Sequence, residues 1–96
     1  MLSKPVSARV KFFAYFRELF AAKEKEFPLD TGTTVRDALA FVCDSAERRS
    51  EIFDGDTLKT HIVIMKNGAG IQSLQGLETP LGDGDVLSIF PLMGGG

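Results

Sequence analysis

Residues 6–15 read VSARVKFFAY, and the alternation within this stretch decides the fold. The even-numbered positions are all apolar: Val6, Ala8, Val10, Phe12 and Ala14. The odd-numbered positions are mostly polar, with one phenylalanine among them: Ser7, Arg9, Lys11, Phe13 and Tyr15. Because successive side chains of a strand point to opposite faces, this stretch predicts a strand with one face toward a core and the other toward water.

The residues that follow predict a hairpin and then a helix. Residues 16–22 can form a short helical turn, and residues 23–29 then read as a second strand. Thr34 offers an N-cap oxygen to a helix that begins directly after it. Five apolar side chains follow Thr34 at helical spacing: Val35, Ala38, Leu39, Val42 and Ala46. This spacing predicts one amphipathic helix of about three turns that lies on a sheet.

The second half of the chain predicts three more strands. Residues 47–60 are polar and predict a surface loop. The apolar run at residues 62–66 ends at an Asn-Gly turn signal and predicts a strand. Residues 71–74 predict a short edge strand, and residues 86–91 predict the last strand.

The predicted order is β-β-α-β-β-β, which places the chain in the α+β class. One main helix packed on one face of a mixed four- to five-stranded sheet satisfies the two-layer rule for small domains. The β-grasp, or ubiquitin-like, fold is the small fold that has this order. We therefore expect a β-grasp domain over residues 1–91 and a flexible glycine tail over residues 92–96.

Size and charge exclude several classes of function. A chain of 96 residues forms one core and hardly a deep private pocket, which argues against a self-contained enzyme. The formal net charge of −2 gives no indication of the excess positive charge that typically accompanies binding to nucleic acid or to an anionic membrane. No apolar run approaches the roughly 20 residues of a membrane span. The single cysteine, Cys43, cannot form an internal disulfide, which suits a cytoplasmic protein.

The glycine-rich C-terminal end, Met93-Gly94-Gly95-Gly96, directly follows the last predicted strand. Three glycines give nothing to a core and cost ordering entropy, but a backbone without Cβ atoms can enter a narrow channel. The stretch from Pro91 to Gly96 spans at most roughly 20 Å. Such a tail can deliver a terminal carboxylate into the active site of another protein. The alternative is a frayed, functionless terminus or a cloning remnant.

Three further stretches carry a family pattern: VKFFAYFREL at residues 10–19, GTTVRDAL at residues 32–39, and TPLGDGDVLSIFP at residues 79–91. Together they resemble the family of β-grasp sulfur carriers that contains the small subunit of molybdopterin synthase (MoaD) and the thiamine sulfur carrier (ThiS). The Phe-Phe-Ala and Arg-Glu-Leu of the first stretch and the Phe-Pro of the third look more like the molybdopterin branch. Gly94 departs from the family pattern, in which a non-glycine residue is usual at that place.

The resemblance implies a sulfur carrier that is not an enzyme by itself. An E1-like adenylating enzyme (MoeB/ThiF type) would use ATP to adenylate Gly96, and a sulfur donor would convert the adenylate to a thiocarboxylate. The large catalytic subunit of molybdopterin synthase (MoaE type) would use this sulfur to build the dithiolene of the molybdenum or tungsten cofactor. By position, Gly96 carries the sulfur and Gly95 precedes it in the channel. We expect no permanently bound cofactor and no metal.

The alternation of faces predicts a partner-binding surface near the root of the tail. Phe13 lies on the outward face of the first strand and Phe90 on that of the last, and these strands are neighbours in a β-grasp sheet. We expect both rings on the open face of the sheet, where a partner docks. The family resemblance adds Arg17 as a charged contact, and we add Leu92 and Gly94 as contacts of the tail.

Other interpretations stay open from the sequence. Phe13 and Phe90 could instead fill a secondary core under residues 67–78. The carrier could deliver sulfur to thiamine, cysteine or tRNA, or be a ubiquitin-like modifier joined to lysine amines, or be a non-covalent binding module. His61 has no catalytic or metal partner at a recognised spacing and reads as structural, and Cys43 reads as a buried, inert thiol.

Overall fold

A computed structural model describes residues 6–92 of the chain. The strands are β1 (Ser7–Phe12), β2 (Glu24–Pro28), β3 (Phe53–Asp54), β4 (Thr57–Leu58), β5 (Ile62–Lys66), β6 (Ala69–Gly70) and β7 (Val86–Pro91). The helices are α1 (Phe16–Leu19), α2 (Val35–Val42) and α3 (Ala46–Ile52). Single 3-10 turns lie at Ile71–Ser73 and Gly76–Glu78.

Five of these strands form one mixed sheet in the order β2-β1-β7-β5-β6, and β3 and β4 form a separate hairpin. Strand β7 runs parallel to β1, with Leu87 opposite Val10. It runs antiparallel to β5, with Ile89 opposite Ile64. The buried faces of these strands and of α2 meet in a single core. The predicted α+β class and β-grasp architecture are confirmed.

The helical region differs from the prediction of one long helix. Helix α2 ends at Val42, and Cys43 leaves the helical conformation with φ −84° and ψ 70°. The Ser45 side chain then accepts a hydrogen bond from the Arg48 N–H and caps a second helix. Ala46, predicted to lie on the buried face, is exposed at the start of α3. The cap explains the break, because a serine oxygen that satisfies a free N–H favours a new helix start.

The prediction of a surface loop over residues 47–60 is also wrong. Helix α3 and the β3–β4 hairpin occupy this region, and they bury Ile52 and Phe53 in the core. The Arg49 guanidinium lies 4.7 Å from the centroid of the Phe53 ring and covers it. The sequence of α3, AERRSEI, has one large apolar residue at its end and therefore lacks the helical periodicity that would have shown it.

Smaller differences occur at the ends of the predicted strands. Strand β1 stops at Phe12, and Ala14 adopts a positive φ of 58° in the turn beyond it. Val6 is 47% exposed, so neither Val6 nor Ala14 belongs to the core face predicted for it. Ile71 is buried in a 3-10 turn, and the edge strand β6 lies just before it rather than at residues 71–74.

Three phenylalanines fill one end of the core. Phe12, Phe16 and Phe20 are each 0% exposed. The rings of Phe12 and Phe20 stack with their centroids 4.4 Å apart and their planes 12° from parallel. The Arg48 Nε donates to the Leu19 carbonyl at 2.9 Å, which ties α3 to the end of α1. These contacts fix the connection between β1 and β2, and thus the position of Phe13 just beyond β1.

Asp85 joins three segments around the start of β7. Its carboxylate accepts hydrogen bonds from the Gly82 N–H at 2.7 Å and from the Asn67 amide at 2.8 Å. The Lys66 Nζ lies 3.5 Å from the same carboxylate and donates to the Pro80 carbonyl. Partial burial raises the pKa of Asp85, but the hydrogen bonds and the Lys66 charge outweigh it, so the net pKa is lowered.

Replacing this carboxylate with an amide (Asp85→Asn) should lower the free energy of unfolding by about 1–2 kcal/mol at neutral pH, since charge-assisted hydrogen bonds are lost. A lowered folded-state pKa means that the stabilisation is present above the unfolded-state pKa and is lost as pH falls through the folded-state pKa. Urea unfolding of both proteins should therefore show a difference at neutral pH that shrinks in strong acid.

The control variant is Asp83→Asn, because the Asp83 carboxylate accepts a hydrogen bond from the exposed Ser7 N–H that an amide oxygen can also accept. Its unfolding should match that of the parent protein. An equal loss for Asp85→Asn at neutral and acidic pH would show that the Asp85 charge does not stabilise the fold.

Candidate functional site

The root of the predicted tail is held by the sheet. Pro91 ends β7 and is buried. The Leu92 N–H donates to the His61 carbonyl at 2.6 Å, and the Leu92 side chain is 62% exposed. Outside the described residues lie three predicted site residues: Gly94, Gly95 and Gly96. The predicted boundary between residues 91 and 92 and the roles of the three glycines therefore stay predictions.

An apolar patch lies on the face of the sheet that the helices leave open. Phe13 and Phe90 are half-buried and meet edge to face, with ring centroids 5.9 Å apart and planes at 88°. Val63 lies opposite Phe90 and Met65 lies opposite Ser88 in the antiparallel pairing of β5 with β7. Val63 and Met65 are also half-buried. We call the set Phe13, Val63, Met65 and Phe90 the sheet-face patch.

Arg17 places a positive charge at the edge of the sheet-face patch. Its Nε donates to the Phe12 carbonyl at 3.0 Å, which holds the side chain across the end of β1. The guanidinium carbon lies 5.6 Å from the centroid of the Phe13 ring, within the range of a cation–π interaction. Of the predicted partner-binding residues, the structure brings Phe13, Phe90 and Arg17 together and places Leu92 two residues after Phe90.

The segment at residues 67–78 does not supply a second core for Phe13 and Phe90. Ile71 belongs to the main core, and Leu77 packs against that core. The turn at Gly76–Glu78 lies against α2, on the helix side of the sheet. The sheet-face patch is on the opposite side, so the alternative interpretation of these two phenylalanines is not supported.

Sequence reasoning missed three contributors to this site. Val63 and Met65 alternate with the buried Ile62 and Ile64, and this alternation was the available signal for their place on the open face. The His61 carbonyl, which holds Leu92, gives no sequence signal, because any residue presents the same backbone group.

Within residues 6–92 no group of three or more His, Cys, Asp and Glu side chains could hold a metal ion. The helices within the same range lack the length and apolar composition needed to cross a membrane.

Cys43 lies at the C-terminal end of α2 and is buried. Burial raises the pKa of its thiol to about 11, against a smaller lowering effect of Arg49. The thiolate is the reactive form of cysteine, and a raised pKa keeps the Cys43 side chain in its thiol form at neutral pH. Cys43 is therefore expected to be unreactive. The interpretation of Cys43 as a buried, inert thiol is supported.

These features define a class of protein: a small ubiquitin-like β-grasp domain whose open sheet face lies beside the root of a glycine-ended tail. Residues 10–96 match the ThiS family, and the chain belongs to this family. The predicted family resemblance is thereby confirmed.

Relatives of two kinds resemble the chain. It is 33% identical over 88 residues to small archaeal modifier protein 3 of Haloferax volcanii, covering 91% of this chain and 96% of that protein. Small archaeal modifier protein 1 of Methanosarcina acetivorans matches with a TM-score of 0.79 and 32% identity, covering 98% of this chain and 100% of that one. A Pyrococcus furiosus protein provisionally named molybdopterin converting factor, subunit 1, matches with a TM-score of 0.70 and 31% identity, covering 92% and 99%.

Alkylation by iodoacetamide should distinguish the folded from the unfolded environment of Cys43. With a thiol pKa of about 11, on the order of one folded molecule in ten thousand carries the thiolate at neutral pH. We expect negligible labelling of the folded chain and rapid labelling in urea, measured by peptide mass spectrometry. Equal rates in the two conditions would mean that the thiol is not shielded by the fold.

Proposed function

We propose that this protein is a sulfur carrier in molybdopterin biosynthesis, as the small subunit of molybdopterin synthase, and that Gly96 carries the sulfur. In the proposed reaction, an E1-like enzyme of the MoeB/ThiF type joins the Gly96 carboxylate to AMP from ATP and releases pyrophosphate. The terminal sulfur of a persulfide on a donor protein displaces AMP and gives an acyl disulfide. A thiol then attacks the donor sulfur, so that a disulfide forms between that thiol and the donor and the thiocarboxylate leaves. A MoaE-type subunit then accepts the sulfur. The carrier provides no catalytic side chain in this scheme.

The observation that carries the proposal is the position of the sheet-face patch relative to the root of the tail. Phe90 lies in the patch, and Leu92, two residues later, makes the hydrogen bond to His61. The five residues from Leu92 to Gly96 reach at most roughly 17 Å when extended. A partner that covers the patch therefore needs its active site within this distance of the docking surface.

Two further observations support the proposal. The Pyrococcus furiosus relative bears the name of a molybdopterin converting factor subunit, which favours the molybdopterin pathway over the other sulfur pathways. The buried Cys43 offers no competing thiol to an activated C-terminus, and a free cysteine suits the reducing cytoplasm in which we place the protein.

Intact mass spectrometry of the protein from its own host tests the chemistry. We expect a fraction in which one oxygen is replaced by sulfur, localised to the peptide that ends at Gly96. Oxidation adds a nearly equal mass, so localisation is essential. Alkylation under native conditions adds a second readout, because a thiocarboxylate should react while Cys43 stays unlabelled.

A variant lacking Gly95 and Gly96 is the matched control for this experiment. It should fold as the parent protein does but carry no sulfur and fail to support molybdopterin synthesis. Full synthesis with the shortened chain would exclude the proposed role of Gly96.

A second candidate function is a ubiquitin-like modifier, which the names of the Haloferax and Methanosarcina relatives favour. In that case an acyl adenylate of Gly96 would be attacked by a lysine amine of a target, and AMP would leave. Peptide mass spectrometry of host proteins separates the two functions, because a modifier leaves Gly96 in an amide bond to a lysine side chain. A C-terminal thiocarboxylate without such conjugates supports the carrier.

The double substitution Phe13→Ser and Phe90→Ser should weaken binding to the E1-like enzyme of the same host by tenfold or more, as expected for about 1.4 kcal/mol or more of lost contact. The edge-to-face contact adds about 0.5–1.5 kcal/mol to the burial of the two half-buried rings, so we expect a much smaller fall in the melting temperature of the free protein than removal of a core phenylalanine would cause. Titration calorimetry and thermal unfolding measure the two effects separately.

Leu74→Ser is the matched control, because Leu74 is an exposed apolar side chain outside the sheet-face patch. It should leave binding to the E1-like enzyme unchanged. Unchanged affinity of the double variant would remove the patch from the docking surface, and a large loss of stability would make the two phenylalanines part of the core.

A further inference from the structure

An exposed aromatic side chain, Phe41, lies on the helix side of the molecule, beside β2. Phe41 on α2 is 51% exposed, which is more than any other aromatic side chain described in residues 6–92. Its ring centroid lies 6.0 Å from that of Phe27 on β2. Both side chains line a groove of about 380 Å³, whose walls are completed by Pro28, residues 30–33 and Asp37.

The exposure of Phe41 is not required by the fold. The buried face of α2 consists of four other residues: Val35, Ala38, Leu39 and Val42. Phe41 lies off this face, at a position where a polar side chain would serve the helix equally well. A single exposed apolar residue is ordinary on a protein surface, so the groove and its charges are what give Phe41 significance.

The rim of the groove is acidic. Asp37 and Phe41 are one helical turn apart and share one face of α2. Asp30 contributes a second carboxylate from the connection between β2 and α2. Asp37 accepts a hydrogen bond from the Thr34 N–H, but neither aspartate forms an ion pair with another of the described residues. Carboxylates beside the exposed Phe41 ring complement a guanidinium or ammonium group, which the face of that ring also attracts.

The adjoining edge of β2 is poorly suited to the addition of another strand. The Leu29 N–H donates to the Val6 carbonyl, and the Phe12 N–H donates to the Lys23 carbonyl. The backbone N–H and C=O groups of the odd-numbered residues in 23–29 therefore point toward β1. The backbone groups of Glu24, Glu26 and Pro28 therefore face outward, and proline has no N–H to donate. Charged residues and proline are devices that keep an edge strand unpaired. Recognition at this groove should accordingly rely on side chains.

We propose that this groove, named here the Phe41 groove, binds a partner protein through an aliphatic side chain flanked by arginine or lysine. The aliphatic group would cover the exposed Phe41 ring, and the cationic groups would meet Asp30 and Asp37. The groove lies at the β2 edge on the helix side, whereas the sheet-face patch is on the other face. The two surfaces can thus be occupied at the same time. This proposal does not depend on whether Gly96 carries sulfur.

Nuclear magnetic resonance titration of the full chain tests the proposal. The probe is a short capped peptide in which leucine and arginine alternate. We expect shifts of the backbone amides of Gly32, Asp37 and Phe41 that saturate with added peptide. A peptide in which glutamate replaces arginine should cause no such shifts, because its charge is repelled by the acidic rim.

Two substitutions of the same residue separate binding from folding. Phe41→Ser removes the aromatic surface, and Phe41→Lys keeps a long aliphatic stem on a good helix former while offsetting part of the negative charge of the rim. Each variant should retain the NMR spectrum of a folded domain. Each should bind the arginine peptide about tenfold or more weakly than the parent protein does. Asp30→Asn should weaken it by a smaller factor, whereas Leu74→Ser and the Phe13→Ser, Phe90→Ser variant should bind as the parent does.

Several results would overturn the proposal. They are no saturable shifts at the groove, equal binding of the glutamate peptide, shifts confined to the sheet-face patch, and full binding by folded Phe41→Ser. Shifts at the groove that depend on protein concentration without peptide would assign it to contact between two copies of this chain, and would overturn the proposed partner.

Discussion

The hydrogen bonding of β7 along both of its edges is the constraint on which the rest of the structure depends. Strand β7 lies between β1 and β5 in the middle of the sheet. Leu87 and Ile89 on its buried face are 0% exposed. The last strand of the described chain is thus the central strand of the sheet, and removing it would separate β1–β2 from β5–β6. The C-terminal segment that follows β7 is therefore attached to a strand whose position is fixed.

This constraint also determines what the two faces of the sheet can do. Because β1 and β7 are parallel neighbours, Phe13 and Phe90 meet just where both strands end. The sheet-face patch is therefore close to Leu92, and a partner that docked on this patch would lie beside the root of the predicted tail. The helix side has a different composition, with an acidic groove beside Phe41 at the β2 edge of the sheet. One small domain thereby offers two chemically distinct surfaces.

Much of this arrangement could be predicted from the sequence, where the signal was local. The alternation in β1 and the cap at Thr34 identified the sheet and the start of α2, and the family motifs supported their order. The break at Cys43 was missed because Ala46 continues the apolar spacing while the Ser45 cap competes with it. Helix α3 was missed because its single large apolar residue lies at its end. The hydrogen bond from the Leu92 N–H to the His61 carbonyl joins two backbone groups, so only the structure could reveal it.

Native-state hydrogen exchange of β7 tests the central claim most directly. If the tail is mounted on a fixed strand, the Ile89 and Phe90 amides should exchange only through global unfolding, with the same free energy as the most protected amides of β1. The Leu92 amide should retain protection from its bond to the His61 carbonyl. Exchange of Ile89 and Phe90 through a local opening, at clearly lower free energy while β1 and β2 stay protected, would contradict a fixed root.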